Sequence, residues 1–407
     1  MDLRADPSAP LPTAPTPWAS TDTPSRRDGP PFHMTEMIEA EPRVAVRILD
    51  RLAVAGSARR LAAAIRETAR AGGPIVTVGC GTSEHAAQAI AEVLREAMRE
   101  AGLPAMPGAG GGPIPIQAFE AALVPGFGAA GSLVIGVSHE GGTAATNDAL
   151  TLARDRGATV ALVTASAGSP GARFASLVLE TVELDQSWCH TVGYLSPIVA
   201  AVAAAAELTA TAPDAAAVQD AIGAGLRPAA IDATEALAGA MADRSHIVVI
   251  GTGADRIAAR ELVLKLEEGA HLPAAMRDLE TLLHGHLAGI DERTGVVAIL
   301  TGRDGRGPRI ARLRQALTAV AEVGALGGAI LAADAGGAVP AALTPAGRIV
   351  VGEAPTLPPV AAALLSSATP LQLLTERVAR ARGVDPDPIR RDEPRYLRAA
   401  DAASGPA

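Results

Sequence analysis

The chain has 407 residues, 48% of them hydrophobic and 19% charged, with only four Phe, two Trp and two Tyr, a length that fits two ordinary domains plus extras. A net charge of −9 without any basic tract argues against nucleic acid or anionic lipid as a partner and leaves a small-molecule ligand as the better expectation.

Residues 1–31 carry eight prolines, Pro7 to Pro31, among small polar residues, a composition that cannot bury enough surface to order itself. They are set outside the fold. This stretch also lacks a basic region followed by an apolar core, which reads as no secretory signal and a cytoplasmic chain. From Thr35 to Arg70 the pattern is helical, with Ile38, Val44, Ile48, Leu52, Leu61 and Ile65 on one face. A buried strand, Pro74 to Val78, runs into Gly79-Cys80-Gly81-Thr82-Ser83 and a helix to about Arg99, and the Pro/Gly-rich segment from Pro104 to Pro115 reads as a loop. A second strand, Leu133 to Val137, enters Ser138-His139-Glu140-Gly141-Gly142-Thr143 and a helix to about Arg156. A third follows at Thr159 to Val163, and a fourth is expected within Leu177 to Leu184. Strand, loop, helix and strand at this spacing describe parallel βαβ units. The longest apolar run, Ile198 to Ala206, is too short to span a membrane.

The pattern then returns. Ile247 to Ala259 superimposes on Ile75 to Ala87 at an offset of 172, glycine for glycine, with further strands expected at Val296 to Leu300 and Gly328 to Ala332. An internal duplication of one α/β domain is the economical reading. The expected division is a first domain over 32–215, a second over 228–383 with a helix at Pro370 to Arg382, and a tail over 384–407 packing irregularly across the surface. Cys80 and Cys189 can build neither a disulfide framework nor a zinc site and read as small buried fillers.

Of 35 basic residues, 34 are arginine and one, Lys265, is lysine. It is either a chance survivor or kept because a lysine, unlike arginine, can lose its proton when burial lowers its pKa. A Gly-x-Gly between strand and helix points backbone N–H groups at an anion. A dinucleotide site fits poorly, because Glu84 and Arg256 stand where its third glycine belongs.

Together, His33-Met34 with Glu36, Ile38, Glu39 and Pro42, then Gly79 to Ser83, Ser138 to Thr143, Lys265-Leu266-Glu267-Glu268, His284-Gly285 and Pro370 to Leu374 resemble the sugar isomerase (SIS) domain family. The resemblance is to the paired SIS domains in the isomerase half of the glucosamine-6-phosphate synthases and spans about residues 33–385. It implies an α/β fold of two tandem SIS domains, each a parallel sheet flanked by helices in a flavodoxin-like three-layer arrangement. It implies that Gly81, Thr82, Ser83, Ser138, His139, Glu140, Gly141 and Thr143 hold a sugar, with Trp188 either stacking on it or lying in the core. Helix capping is the plainer use of such hydroxyls. Further implications are Glu268 as the proton-shuttling base, Lys265 assisting charge at the oxygens, and His284 opening the ring from the neighbouring subunit of a homodimer. No cofactor and no metal is called for. Lys265 and Glu268, at i and i+3, share a helix face.

Glu140 departs from the family, which usually has serine there. A carboxylate about 4 Å from a phosphate would cost several kcal/mol even at an effective dielectric of about 20, and no Lys or Arg lies between Arg99 and Arg154 to offset it. Either Glu140 turns outward or the ligand carries a hydroxyl or amine there. The tail, with Arg390, Arg391, Arg395 and Arg398, has no lysine for the family's Schiff base, and Asp2 stands where a glutaminase cysteine would start, so a glutamine-dependent amidotransferase is not expected. The expectation is an isomerase, deaminase or deglycase acting on a sugar or amino sugar, with a non-catalytic sugar-binding protein as the alternative.

Overall fold

The computed structural model describes residues 26–104 and 112–404. The first half runs through α1 (His33–Ala55), α2 (Ser57–Arg70), β1 (Ile75–Gly79), α3 (Thr82–Glu100), β2 (Pro113–Gln117), α4 (Ala118–Leu123), β3 (Leu133–Val137), α5 (Ala144–Asp155), β4 (Thr159–Thr164), β5 (Leu177–Glu180), α6 (Val192–Thr209) and α7 (Ala215–Gly223). The second runs through α8 (Pro228–Ala242), β6 (His246–Ile250), α9 (Asp255–Gly269), β7 (Ala274–Arg277), α10 (Leu279–Leu283), β8 (Thr294–Leu300), α11 (Arg306–Glu322), β9 (Leu326–Ala332), α12 (Ala333–Ala338), β10 (Arg348–Val351), α13 (Pro359–Ala381) and α14 (Pro394–Ser404).

Each half builds a five-stranded, all-parallel sheet, in the orders β2-β1-β3-β4-β5 and β7-β6-β8-β9-β10, so strand for strand the two repeat one topology. A parallel sheet needs helices on both faces, and its central strands then read as unbroken apolar runs. β1, β3 and β8 are buried at every residue. One large core joins the inner faces of both sheets to α1, α2, α3, α6, α8, α9 and α13. Smaller cores lie under the outer helices, α4 and α5 on the first sheet and α10, α11 and α12 on the second. Helix α6 is long and apolar enough to cross a membrane, but it is apolar all round because it is a core helix, packed among α1, α2 and α3.

Several expectations are corrected. The segment Pro113–Gln117, read as loop, is strand β2; at the edge of the sheet a proline loses no ladder bond on its open side. The helical stretch expected over Thr35 to Arg70 forms two helices, parted by Gly56 in the left-handed region at φ 63°. The helix expected at Pro370 to Arg382 is α13, which begins at Pro359 with Pro370 inside it. The leader falls outside the described residues up to 25, but residues 26–31 are ordered: Arg27 hydrogen-bonds Glu36 at 2.7 Å. The tail is not wholly irregular, since it ends in α14, and buried Asp387 accepts the N–H groups of His33 and Met34 at 2.8 and 2.9 Å, capping α1. Cys189 is buried as expected, whereas Cys80 is only half-buried.

Candidate active site between the two repeats

The chain leaves β1 towards β2 on one side and returns through β3 on the other, so the carboxyl ends of β1 and β3 flank a topological switch point, where open α/β sheets place ligands. Both predicted turns lie there. Gly81 sits at φ 57°, and a Cβ on Gly79 would fall 2.3 Å from the Ser83 carbonyl oxygen, so the turn closes directly onto α3. In the second turn Gly141 is at φ 67°, against Ser169. Ser138 is buried and its hydroxyl donates to Thr143 Oγ1 at 3.5 Å; Gly81 and Thr143 are exposed and Ser83 is half-buried.

Behind the second turn is a cluster of ionisable groups. Backbone N–H of Asp185 donates to His139 Nε2 at 2.9 Å, which puts the ring proton on Nδ1, a buried atom without a partner among the described residues. The Asp185 carboxylate accepts from the N–H groups of Thr191, Val192 and Gly193 and so caps α6. Burial pushes its pKa up, but His139, His190 and these donors hold it below the usual carboxylate range. Glu140 turns its carboxylate towards His190, Oε1 lying 3.9 Å from Nε2, and keeps 44% of its side-chain exposure. Burial lowers His190 to a pKa of about 4, so it is neutral at pH 7 and leaves the charge of Glu140 in place.

The second repeat supplies α9. Glu261, Lys265 and Glu268 share one face of it, and Lys265 Nζ lies 2.6 Å from Glu268 Oε2 and 3.6 Å from Glu261 Oε1. Lys265 and Glu261 are wholly buried, while Glu268 keeps about a quarter of its side-chain exposure and is the member open to solvent. Glu261 was not anticipated from the sequence. It crosses between the repeats, accepting from His85 Nδ1 at 2.7 Å and from Thr82 Oγ1 at 3.3 Å, so Thr82 faces a carboxylate. The only advance signal was its place four residues before Lys265.

Burial opposes the charge on Lys265, but Glu268 and Glu261 outweigh it and hold the pKa above the ordinary lysine value. This overturns the expectation that the lysine serves by losing its proton: it is a fixed ammonium. Burial also pushes Glu261 up, but Lys265 and His85 hold its carboxyl below the usual range. In Glu268 burial prevails over the pull of Lys265 and its pKa is raised, a direction that suits a base at neutral pH.

His284 and Trp188 have other partners. His284 is 70% exposed and pairs with Glu280 at 2.6 Å, which in turn binds Arg312. Trp188 is half-buried, with the Arg391 guanidinium of the tail 4.7 Å from its ring centre, so the tail covers a face that a sugar would need.

Fold and site together define a duplicated parallel α/β protein with two paired turns at the first repeat's switch point and a cluster of ionisable groups on the second repeat's helix. Residues 129–210 and 240–324 match the family model of the SIS domain. The matched segments fall one in each repeat, so each repeat carries a stretch similar to the SIS domain. It is 31% identical over 157 residues to the isomerizing glutamine–fructose-6-phosphate aminotransferase of Caulobacter vibrioides, a match covering 38% of this chain and 24% of that protein, far less than two-thirds of the relative's length. The C-terminal domain of glucosamine-fructose-6-phosphate aminotransferase from Francisella tularensis superimposes with a TM-score of 0.72 at 18% identity, over 89% of this chain and 99% of that one. The glucosamine-6-phosphate deaminase of Thermotoga maritima gives 0.64 at 17% identity, over 87% and 96%. At these identities the structural likeness establishes the fold.

Proposed function

We propose that the chain is a sugar isomerase, deaminase or deglycase acting on an amino sugar or fructosamine in the cytoplasm. The observation that carries this reading is the buried Lys265–Glu268 pair, tied through Glu261 to Thr82 and His85 beside the first repeat's turn. In the reaction Glu268 removes the proton from the carbon next to the carbonyl or imine. The C–H electron pair forms the C1=C2 bond, and the π pair moves onto oxygen or nitrogen. The Lys265 ammonium, held charged, stabilises that developing charge until a proton passes to it from the hydroxyl or amine on the deprotonated carbon; the pair so released forms the new C=O or C=N there as the C1=C2 pair takes the proton that Glu268 returns to the other carbon. His284, remote from this cluster in its surface position, opens the ring from the partner subunit of a homodimer. Ser83, Ser138, Thr143 and the Gly81 and Gly141 backbone hold the sugar. Glu140, with no cation to neutralise it, favours an amine or hydroxyl over a phosphate at the second turn.

The reading is tested by incubating the protein with glucosamine, fructosamine and their 6-phosphates and following isomer, ammonia or released amine by NMR. Turnover of an unphosphorylated amino sugar is expected. A preference of more than about tenfold for the phosphorylated form overturns the role given to Glu140. Binding of all four without turnover of any makes the protein a sugar-binding module instead.

A further inference from the structure

The second repeat has a turn and switch point of its own, which the proposed reaction does not use. Gly251-Thr252-Gly253 leaves β6 and enters α9 at the place where the chain passes to β7 on one side and β8 on the other. A cleft of about 560 Å³ opens there, within the range of small-molecule sites, and is closed on its far side by α3 of the first repeat. In a chain of net charge −9 it gathers five arginines against Glu92, Asp278 and Asp304.

Three of the arginines are engaged. Arg256 forks onto Asp278 at 2.9 and 2.5 Å, Arg303 donates to the carbonyl oxygens of Glu353, Ala354 and Leu357, and Arg260 faces Glu84 at 3.8 Å. Arg309 on α11 and Arg99 on α3 make no hydrogen bond to protein through their guanidinium groups among the described residues. Arg309 lies directly over the turn: a Cβ on Gly253 would fall 2.5 Å from its Nη2, so the guanidinium packs against bare glycine backbone. The N–H groups of Thr252, Gly253 and Ala254 likewise have no protein acceptor among the described residues.

The loop after β8 is occupied by the chain itself. Asp255, which stands where the first repeat has Ser83, accepts from Thr301 N–H at 3.0 Å, Thr301 Oγ1 at 2.5 Å and Gly302 N–H at 3.1 Å. An external anion is thereby confined to the Gly253 turn and to Arg309 and Arg99, whose guanidinium groups feel the carboxylates of Asp255 and Glu96 but spend no hydrogen bond on them among the described residues.

We propose that this cleft is a second ligand site, separate from the sugar site, and that it binds a small molecule through a phosphate monoester. The phosphate meets the Arg309 guanidinium and the turn N–H groups, a pairing of fork and oxyanion that arginine makes better than lysine, with Arg99 across the cleft.

The test is calorimetric titration of the full chain with inorganic phosphate, glucose 6-phosphate and adenosine monophosphate, repeated with Arg309→Gln, Arg99→Gln and Ser138→Ala. Saturable binding of at least one probe is expected, weakened about tenfold or more by Arg309→Gln and unchanged by Ser138→Ala. Preference between sugar phosphate and nucleotide identifies the body of the ligand, and either result supports the site. No saturable binding, or loss through Ser138→Ala with Arg309→Gln silent, overturns it. Should Arg309→Gln misfold by circular dichroism, Arg99→Gln, at the exposed end of α3, carries the same expectation.

Discussion

Lys265 is a buried cation between two carboxylates, and its environment sets what each substitution does. Lys265→Met keeps most of the volume but leaves Glu261 and Glu268 without their partner in the core. Breaking a buried pair from one side typically costs about 3–5 kcal/mol, and urea unfolding of the variant should show a loss of that order; a loss under about 1 kcal/mol would mean that the carboxylates find other partners. The solitary lysine and the i, i+3 spacing made Lys265 and Glu268 legible in the sequence. Glu261 was not, because a glutamate four residues before a lysine looks like an ordinary helix ion pair. Its importance comes from His85, 176 positions away, which no local pattern reveals. Glu140 stands out in the sequence as a carboxylate among hydroxyls, but its direction towards His190 needed the structure.

Among the elements, α1 and α13 are joined by a buried pair of polar side chains. Gln372 donates to Glu41 Oε1 at 2.9 Å, while Glu41 Oε2 and Gln372 Oε1 have no partner among the described residues. Burial pushes the Glu41 pKa well above the usual range despite that hydrogen bond. Since the folded pKa exceeds the unfolded one, the unfolded chain releases this proton first. This group's contribution is therefore best below the ordinary glutamate pKa and declines as pH rises towards the folded value. Glu41→Gln removes that decline, so the variant should match or exceed the wild type in thermal stability at pH 7 and lose its advantage near pH 4; a variant less stable at pH 7 would show that Glu41 is ionised. The strands tell a similar story of context. Those buried on both faces, β1, β3 and β8, announced themselves as apolar runs. The edge strands β2, β7 and β10 did not, because they are short and only partly covered, and β2 alternates proline with isoleucine.

At the scale of the whole molecule, two copies of one sheet topology have diverged: the first keeps hydroxyl-bearing turns, and the second sets α9 against the start of the first copy's α3. The duplication was legible from the repeat at an offset of 172 residues, whereas the residues that join the repeats, Glu261 to Thr82 and His85, were not. If His284 acts across a homodimer, Glu268→Gln and His284→Ala are each inactive alone, but hybrid dimers rebuild one intact site. Co-refolding equal amounts should then recover about a quarter of wild-type activity; dimers that mix without recovering any would place His284 in the site of its own chain, and an active His284→Ala would place it outside the reaction. The most direct measurement is proton exchange at the sugar itself. In deuterated water the wild type should introduce deuterium at C1 or C2 of a ketose or amino sugar, with a rate that rises with pH through an acid limb above the ordinary glutamate pKa, and Glu268→Gln should introduce none. Exchange that persists undiminished in Glu268→Gln would contradict the account.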